Sequence, residues 1–136
     1  MRVRFYNFVM VVPIDDKLRE ILKKWWIHYG IPEFPFQVKR SFMVFEKDFP
    51  VCASFCWVED CNVIGWLAYV TMNPEARTEV RGRAFKEMLA AVEQSLKEEG
   101  VRLLIAPANN PSLLARLLKY GFEAADCDVV HLIKKI

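Results

Sequence analysis

GWLAYVTMNPEARTEVRGRAFKEMLAAVEQSLKEEGVRLLIA, Gly65 to Ala106, changes its periodicity twice. GWLAYVTM is apolar and β-prone, and Asn73-Pro74 stops it. A polar loop, EARTEV, then leads into RGRAFKEMLAAVEQSLKEEG. There Phe85, Met88, Leu89, Val92 and Leu96 recur at helical spacing and form one apolar stripe. Glu93 and Lys97 make an i,i+4 pair on the wet side. Gly100 ends the helix. VRLLIA is short, apolar and without alternation, as expected of a strand covered on both faces. A strand, a crossover helix and a second strand predict a parallel pair with a right-handed connection.

Upstream, Arg2 to Val12 reads as a first strand that Pro13 ends. Asp15 or Asp16 caps a helix running through Tyr29, with Leu18, Ile21, Leu22, Trp25 and Tyr29 on one face and Gly30 after it. IPEFPFQVKR is broken by prolines and reads as a loop. SFMVFEKDF and VCASFCWVE, separated by Pro50, read as neighbouring strands of a meander. The turn EDCN joins them to Gly65–Met72. Apolar residues on both faces of VCASFCWV predict a central strand. Downstream, NNPSLLARLLKYGFE reads as a helix with Asn110 as N-cap, Pro111 in its first turn and Gly121 at its end, and with Leu114, Leu117 and Leu118 facing inward. DVVHLIKKI reads as a last strand. The prediction is one α/β domain over residues 1–136, with a mixed, mostly antiparallel sheet and helices on both faces.

A chain of 136 residues, 54% hydrophobic and 26% charged, is globular in composition and long enough to bury a core. The net charge of +2 demands neither nucleic acid nor an acidic membrane. No run approaches membrane-spanning length, and the N-terminal residues do not read as a secretory signal. Cys52, Cys56, Cys61 and Cys127 are therefore read as reduced thiols of a cytoplasmic protein. Their C-x3-C-x4-C spacing lacks a paired CxxC, so buried thiols are favoured over a metal site. The apolar content of so small a chain leaves room for a homodimer.

Arg81, Gly82 and Arg83 stand just before the apolar stripe, where a helix N-terminus offers unpaired N–H groups and a positive dipole end. Gly82 would admit close approach, and Arg81, Arg83 and Lys86 would add charge for a phosphate.

Three segments in order, WLAYVTMNPE, RGRAFKEMLAAVEQSLKEEG and NNPSLLARLLKYGFE, resemble the GNAT superfamily of acetyl-CoA-dependent N-acetyltransferases. The resemblance covers about Gly65 to Phe122. It implies a splayed central strand pair, with acetyl-CoA between the strands as cosubstrate and an amine as acceptor. The pantetheine arm would bond to backbone near Val70 and Met72. The pyrophosphate would sit on the amides of Arg81, Gly82, Arg83, Ala84, Phe85 and Lys86, and the helix opened by Asn110 would form the other wall. No metal is implied.

The sequence departs from the family's Q/R-x-x-G-x-G/A loop. Starting it at Arg81 puts Ala84 and Lys86 at the glycine positions, and pairing Gly82 with Ala84 puts Glu79 first. Leu117 stands where the family often has a tyrosine. The catalytic acid and base stay open, with Glu59, Tyr69 and Tyr120 as candidates for these roles and Glu46 and His28 as further candidate bases. Trp26, Phe34 and Phe36 are expected to form an aromatic rim for the acceptor beside the core residue Trp25. The alternative is a member of the fold that binds CoA or a protein partner without turnover.

Overall fold

The computed structural model describes residues 4–6, 9–35, 37–108, 110–130, 132, 134 and 136. They form two compact units, residues 1–106 and 107–136.

The first unit is a six-stranded sheet in the order β1-β2-β3-β4-β5-β6, where β1 is Arg4–Tyr6, β2 Val9–Pro13, β3 Arg40–Glu46, β4 Phe49–Val58, β5 Ile64–Met72 and β6 Leu103–Ile105. Every neighbouring pair is antiparallel except β5 and β6, which run parallel. The expected single first strand is therefore two antiparallel ones; Asn7 and Phe8 between them lie outside the described residues. The expected break at Pro50 is also displaced. Lys47 and Asp48 take left-handed φ values of 49° and 67°, the backbone of a tight hairpin turn, so Phe49 and Pro50 already belong to β4. A register shift between Val44 and Phe45 sits beside Pro50. That is where a strand tolerates a residue with no N–H to give.

Helix α1, Asp16–Tyr29, is capped as its sequence predicts. The Asp15 carboxylate accepts from the Leu18 N–H at 2.9 Å, and Gly30 closes it at φ 66°. It packs Leu22, Trp25 and Trp26 with Met43, Ala53 and Phe55 of the sheet. Residues alternate across β4, so Cys52 faces the other way, where its thiol meets the Met88 sulfur at 3.8 Å. Met88 lies on helix α2, Thr78–Glu98, so helices cover both faces of the sheet. Gly65 lets α2 come close: a Cβ there would lie 3.0 Å from Leu96 Cδ1 and 3.2 Å from Val101 Cγ1.

Helix α2 begins earlier than expected, since Thr78–Val80 of the anticipated loop are already helical. It ends in a Schellman turn, with the Gly100 N–H on Lys97 O at 3.0 Å and the Val101 N–H on Leu96 O at 3.1 Å. β6 is not buried on both faces as expected. It is the sheet's edge strand, and Leu103 is 57% exposed.

In the second unit, helix α3 spans Pro111–Lys119. The Asn110 side chain accepts from the Leu113 N–H at 2.8 Å, and Gly121 takes φ 92°. Phe122 N–H reaches Leu117 O at 3.1 Å, a second Schellman turn. Leu117 is buried, but Leu114 and Leu118, expected inward, are 43% and 47% exposed. The last strand does not form among the described residues of 128–136, whose backbone turns instead at Asp128 with φ 58°. His131, Ile133 and Lys135 lie outside the described residues.

Cys56 is fully buried on the α2 face of β4, and burial pushes its thiol up from 9.0 to about 12. The folded state thus keeps a proton that the unfolded chain releases. The stabilisation is complete below the unfolded value and declines as pH rises toward 12. Urea titrations of Cys56→Ala and the parent protein between pH 8 and pH 11 are expected to show a shallower alkaline decline in the variant, with a slope difference of about 1 kcal/mol per pH unit.

Candidate functional site

The parallel pairing of β5 with β6 covers Ile64, Gly65 and Trp66 and then stops, while β5 continues to Met72. Leu67–Met72 therefore pairs with β4 on one side and with no strand of the described residues on the other. Within this stretch the register with β4 jumps from Phe55↔Ala68 to Ala53↔Thr71, so Tyr69 and Val70 together oppose Ser54. That is a β-bulge, and Tyr69 adopts φ 53° to make it. A tyrosine in the left-handed region costs roughly 1–2 kcal/mol, so its surroundings must hold it there.

The bulge changes which backbone groups reach the open edge. The Asn73 N–H bonds to Val51 O at 2.7 Å, toward β4. Strand alternation then turns the peptide groups of Thr71 toward β4 and those of Val70 and Met72 toward the unpaired edge. These are the two positions the sequence reading marked. On the α1 face, Trp26 Nε1–H donates to Thr71 Oγ1 at 3.3 Å, and the Thr71 hydroxyl donates to Tyr69 O at 2.9 Å. The Tyr69 ring meets those of Trp26, Phe34 and Phe55 at centroid distances of 5.6, 5.2 and 5.7 Å.

β5 runs directly into a tied turn. Asn73 Nδ2 donates to Pro50 O at 2.7 Å, and Asn73 Oδ1 accepts from the Glu75 N–H at 3.0 Å. The Arg81 guanidinium reaches back to the carbonyls of Asn73 and Pro74 at 3.1 and 3.2 Å. Arg81, read from the sequence as a phosphate ligand, thus holds the turn. The first intrahelical bond of α2 is Arg81 N–H to Arg77 O at 2.9 Å. Thr78, Glu79 and Val80 therefore present N–H groups that the helix cannot satisfy, and the N-cap, Arg77, supplies no side-chain bond. The amides of Gly82 to Lys86 lie inside the helix, because the helix starts earlier than the sequence implied. Ala84 and Phe85 are core residues at 0% exposure, and Arg83 pairs with Glu46 at 2.7 Å. Gly82, with nothing within 4 Å of a would-be Cβ, leaves the flank of the first turn bare, and Lys86 is exposed.

The candidate bases are dispersed. The Glu59 carboxylate accepts from Trp66 Nε1–H at 2.5 Å. Glu46 is held by Arg83. His28 is exposed beside Tyr29, with ring centroids 4.9 Å apart. Tyr120 lies in the second unit, with Lys119 Nζ 5.7 Å from its ring. The aromatic rim is corrected in part: Trp26 is 1% exposed and belongs to the core with Trp25, because α1 packs that face onto Phe55. Phe34 is half-buried against Phe55, Trp57 and Tyr69, and the Arg19 guanidinium donates to its carbonyl. Phe36 lies outside the described residues. Thr71 and Asn73 were missed by sequence reading. Their signal was the presence of two hydrogen-bonding side chains, 2% and 5% exposed, at the end of an apolar strand.

No family model matches the chain, and neither does any curated protein. Solved structures do match. An aminoglycoside acetyltransferase from an uncultured soil metagenomic sample superimposes with TM-score 0.63 at 12% identity, covering 96% of this chain and 97% of that one. The chain has the GNAT acetyltransferase fold. Two further GNAT-fold structures agree. The ribosomal-protein-S18-alanine N-acetyltransferase of Escherichia coli gives TM-score 0.61 at 17% identity over 87% of this chain and 79% of that one. A predicted acetyltransferase of Clostridium acetobutylicum, solved with acetyl-CoA, gives 0.61 at 15% over 92% and 96%. Among the described residues no helix is long and apolar enough to cross a membrane.

Leaving a helix start uncapped is a measurable sacrifice in this GNAT fold. Arg77→Asn, which supplies a side-chain acceptor for the Val80 N–H, is expected to raise stability by about 0.5–2 kcal/mol in urea denaturation.

Proposed function

We propose that this protein is an acetyl-CoA-dependent N-acetyltransferase. The observation that carries the reading is the continuity of two sets of backbone groups. The unpaired edge of β5 at Val70 and Met72 runs through the Asn73 turn into the open N-terminus of α2. A pantetheine arm has amide groups that can pair with a strand edge as another strand would. A pyrophosphate suits the amides of Thr78, Glu79 and Val80, with the helix dipole behind them and Arg77 the exposed residue that precedes them. Gly82 keeps that flank clear, and Lys86 adds positive charge farther along the helix. The residues present therefore fit the cofactor, with the phosphate one turn earlier than the Arg81–Lys86 stretch suggested by sequence.

The chemistry is direct acyl transfer. The neutral acceptor amine attacks the thioester carbonyl carbon, a C–N bond forms, and the carbonyl oxygen becomes an oxyanion. The Val70 N–H, turned to the open edge by the bulge, is the donor we assign to that oxygen. Collapse breaks the C–S bond and leaves the CoA thiolate, which takes up a proton as the new amide loses one. Leu67–Met72 carries no carboxylate, so the proton leaves through water or through a group outside that stretch.

The same lack of a carboxylate favours a second reading, a CoA-binding protein without turnover. Titration calorimetry with acetyl-CoA, followed by CoA-thiol release over a panel of primary amines, separates the two. The enzyme reading expects saturable heat, a thermal stabilisation of about 2.7 kcal/mol at a hundredfold excess over Kd, and thiol release with at least one amine class. Binding without release leaves the second reading. No heat and no thermal shift would defeat both.

A further inference from the structure

We propose that Trp26 and Thr71 are positioning residues for the thioester carbonyl, acting through the β5 bulge. The inference rests on the acetyl-CoA reading above. Trp26 Nε1–H donates to Thr71 Oγ1, and the same hydroxyl donates to the carbonyl of Tyr69, the residue with φ 53°. The hydroxyl is the one group that can accept from the indole and give to the bulge at once. Trp26 and Thr71 are 1% and 2% exposed, so water does not readily replace either bond.

The relay selects between two registers of the strand. With the bulge, Thr71 points to α1, and Val70 and Met72 turn their N–H groups to the open edge. Without it, one residue of β5 moves into line, and every later side chain and peptide group exchanges sides. Val70 would then donate to β4, Thr71 would leave the indole, and the Trp26 N–H would be buried without its acceptor. The strained Tyr69 geometry is thus held from α1, by a hydrogen-bond relay and by the Trp26 and Phe34 rings against the Tyr69 ring. A residue of the core on one face of the sheet thereby sets the direction of a donor on the strand's edge.

The test uses the full chain, with Thr71→Val to delete the hydroxyl at constant shape and Thr71→Ser to retain it. Calorimetry with acetyl-CoA and with CoA reads the carbonyl specifically, since CoA lacks it. Thr71→Val is expected to weaken acetyl-CoA about tenfold more than it weakens CoA, because both lose the pantetheine's pairing with the strand edge and only acetyl-CoA loses the donor to its carbonyl. Thr71→Ser should restore the parent ratio. Amide exchange by NMR should speed up at Thr71, which leaves β4, and slow at Val70 and Met72, which turn to it, in Thr71→Val and not in Thr71→Ser. If Thr71→Val does not fold, Trp26→Phe removes the indole donor and should shift the acetyl-CoA to CoA ratio in the same direction. An unchanged ratio with unchanged exchange overturns the proposal. If the parent binds neither nucleotide, the acetyl-CoA reading fails along with the carbonyl's role, and the exchange data still decide whether the relay holds the bulge.

Discussion

The bulge at Tyr69 and Val70 is the constraint on which the rest of the first unit's site depends. It inserts one residue into β5 opposite Ser54, and that residue reverses the sidedness of everything after it. Before it, β5 follows the alternation that places Gly65 against Leu96. After it, Thr71 reaches the indole of Trp26, and the Asn73 N–H bonds back to β4. The left-handed tyrosine is tolerated because ring contacts and a buried relay act on the same residue. Their combined effect has to exceed roughly 1–2 kcal/mol, which one buried hydrogen bond and one aromatic pair supply together.

The turn after β5 follows from the same geometry. Once Asn73 is fixed to Val51 and Pro50, its remaining oxygens organise the chain that follows. The side-chain oxygen takes the Glu75 N–H and the carbonyl takes that of Ala76 at 3.0 Å. Arg81 then ties two carbonyls of the turn to the second turn of α2. An arginine there looks in sequence like a phosphate ligand. In the structure it joins the strand's end to the helix's start and leaves the first-turn amides facing outward.

Much of this was legible in the sequence where one residue type answers one local need. Asp15, Gly30, Asn110, Pro111 and Gly121 marked helix ends because caps and left-handed turns accept few residues. The β3–β4–β5 meander followed from the short turns, and the parallel β5–β6 pair from the strand–helix–strand crossover. The features that escaped depend on what lies across the sheet. Lys47, Asp48 and Tyr69 adopt positive φ although none is glycine, because their partners determine the register. Trp26 read as surplus aromatic surface, yet its acceptor lies on β5, 45 residues away in the chain. The early start of α2 escaped because Thr78–Val80 are polar and carry no stripe. The tail escaped the other way: DVVHLIKKI has the composition of a strand, but composition supplies no partner.

Backbone accounting is the strongest support for a ligand along β5. A folded chain pairs nearly all of its buried N–H and C=O groups, so a strand edge without a strand and a helix start without a cap each raise the question of what meets them. Separately, each is common and water answers it. Here they are consecutive in the chain, separated only by a turn that the hydrogen bonds of Asn73 and Arg81 tie. An occupant that meets both needs peptide-like groups at one end and an anion at the other. It also needs a reactive carbonyl near the bulge if the left-handed Tyr69 is to have a use. Acetyl-CoA has these parts in this order, whereas an inorganic anion lacks the amides and a simple peptide lacks an activated carbonyl.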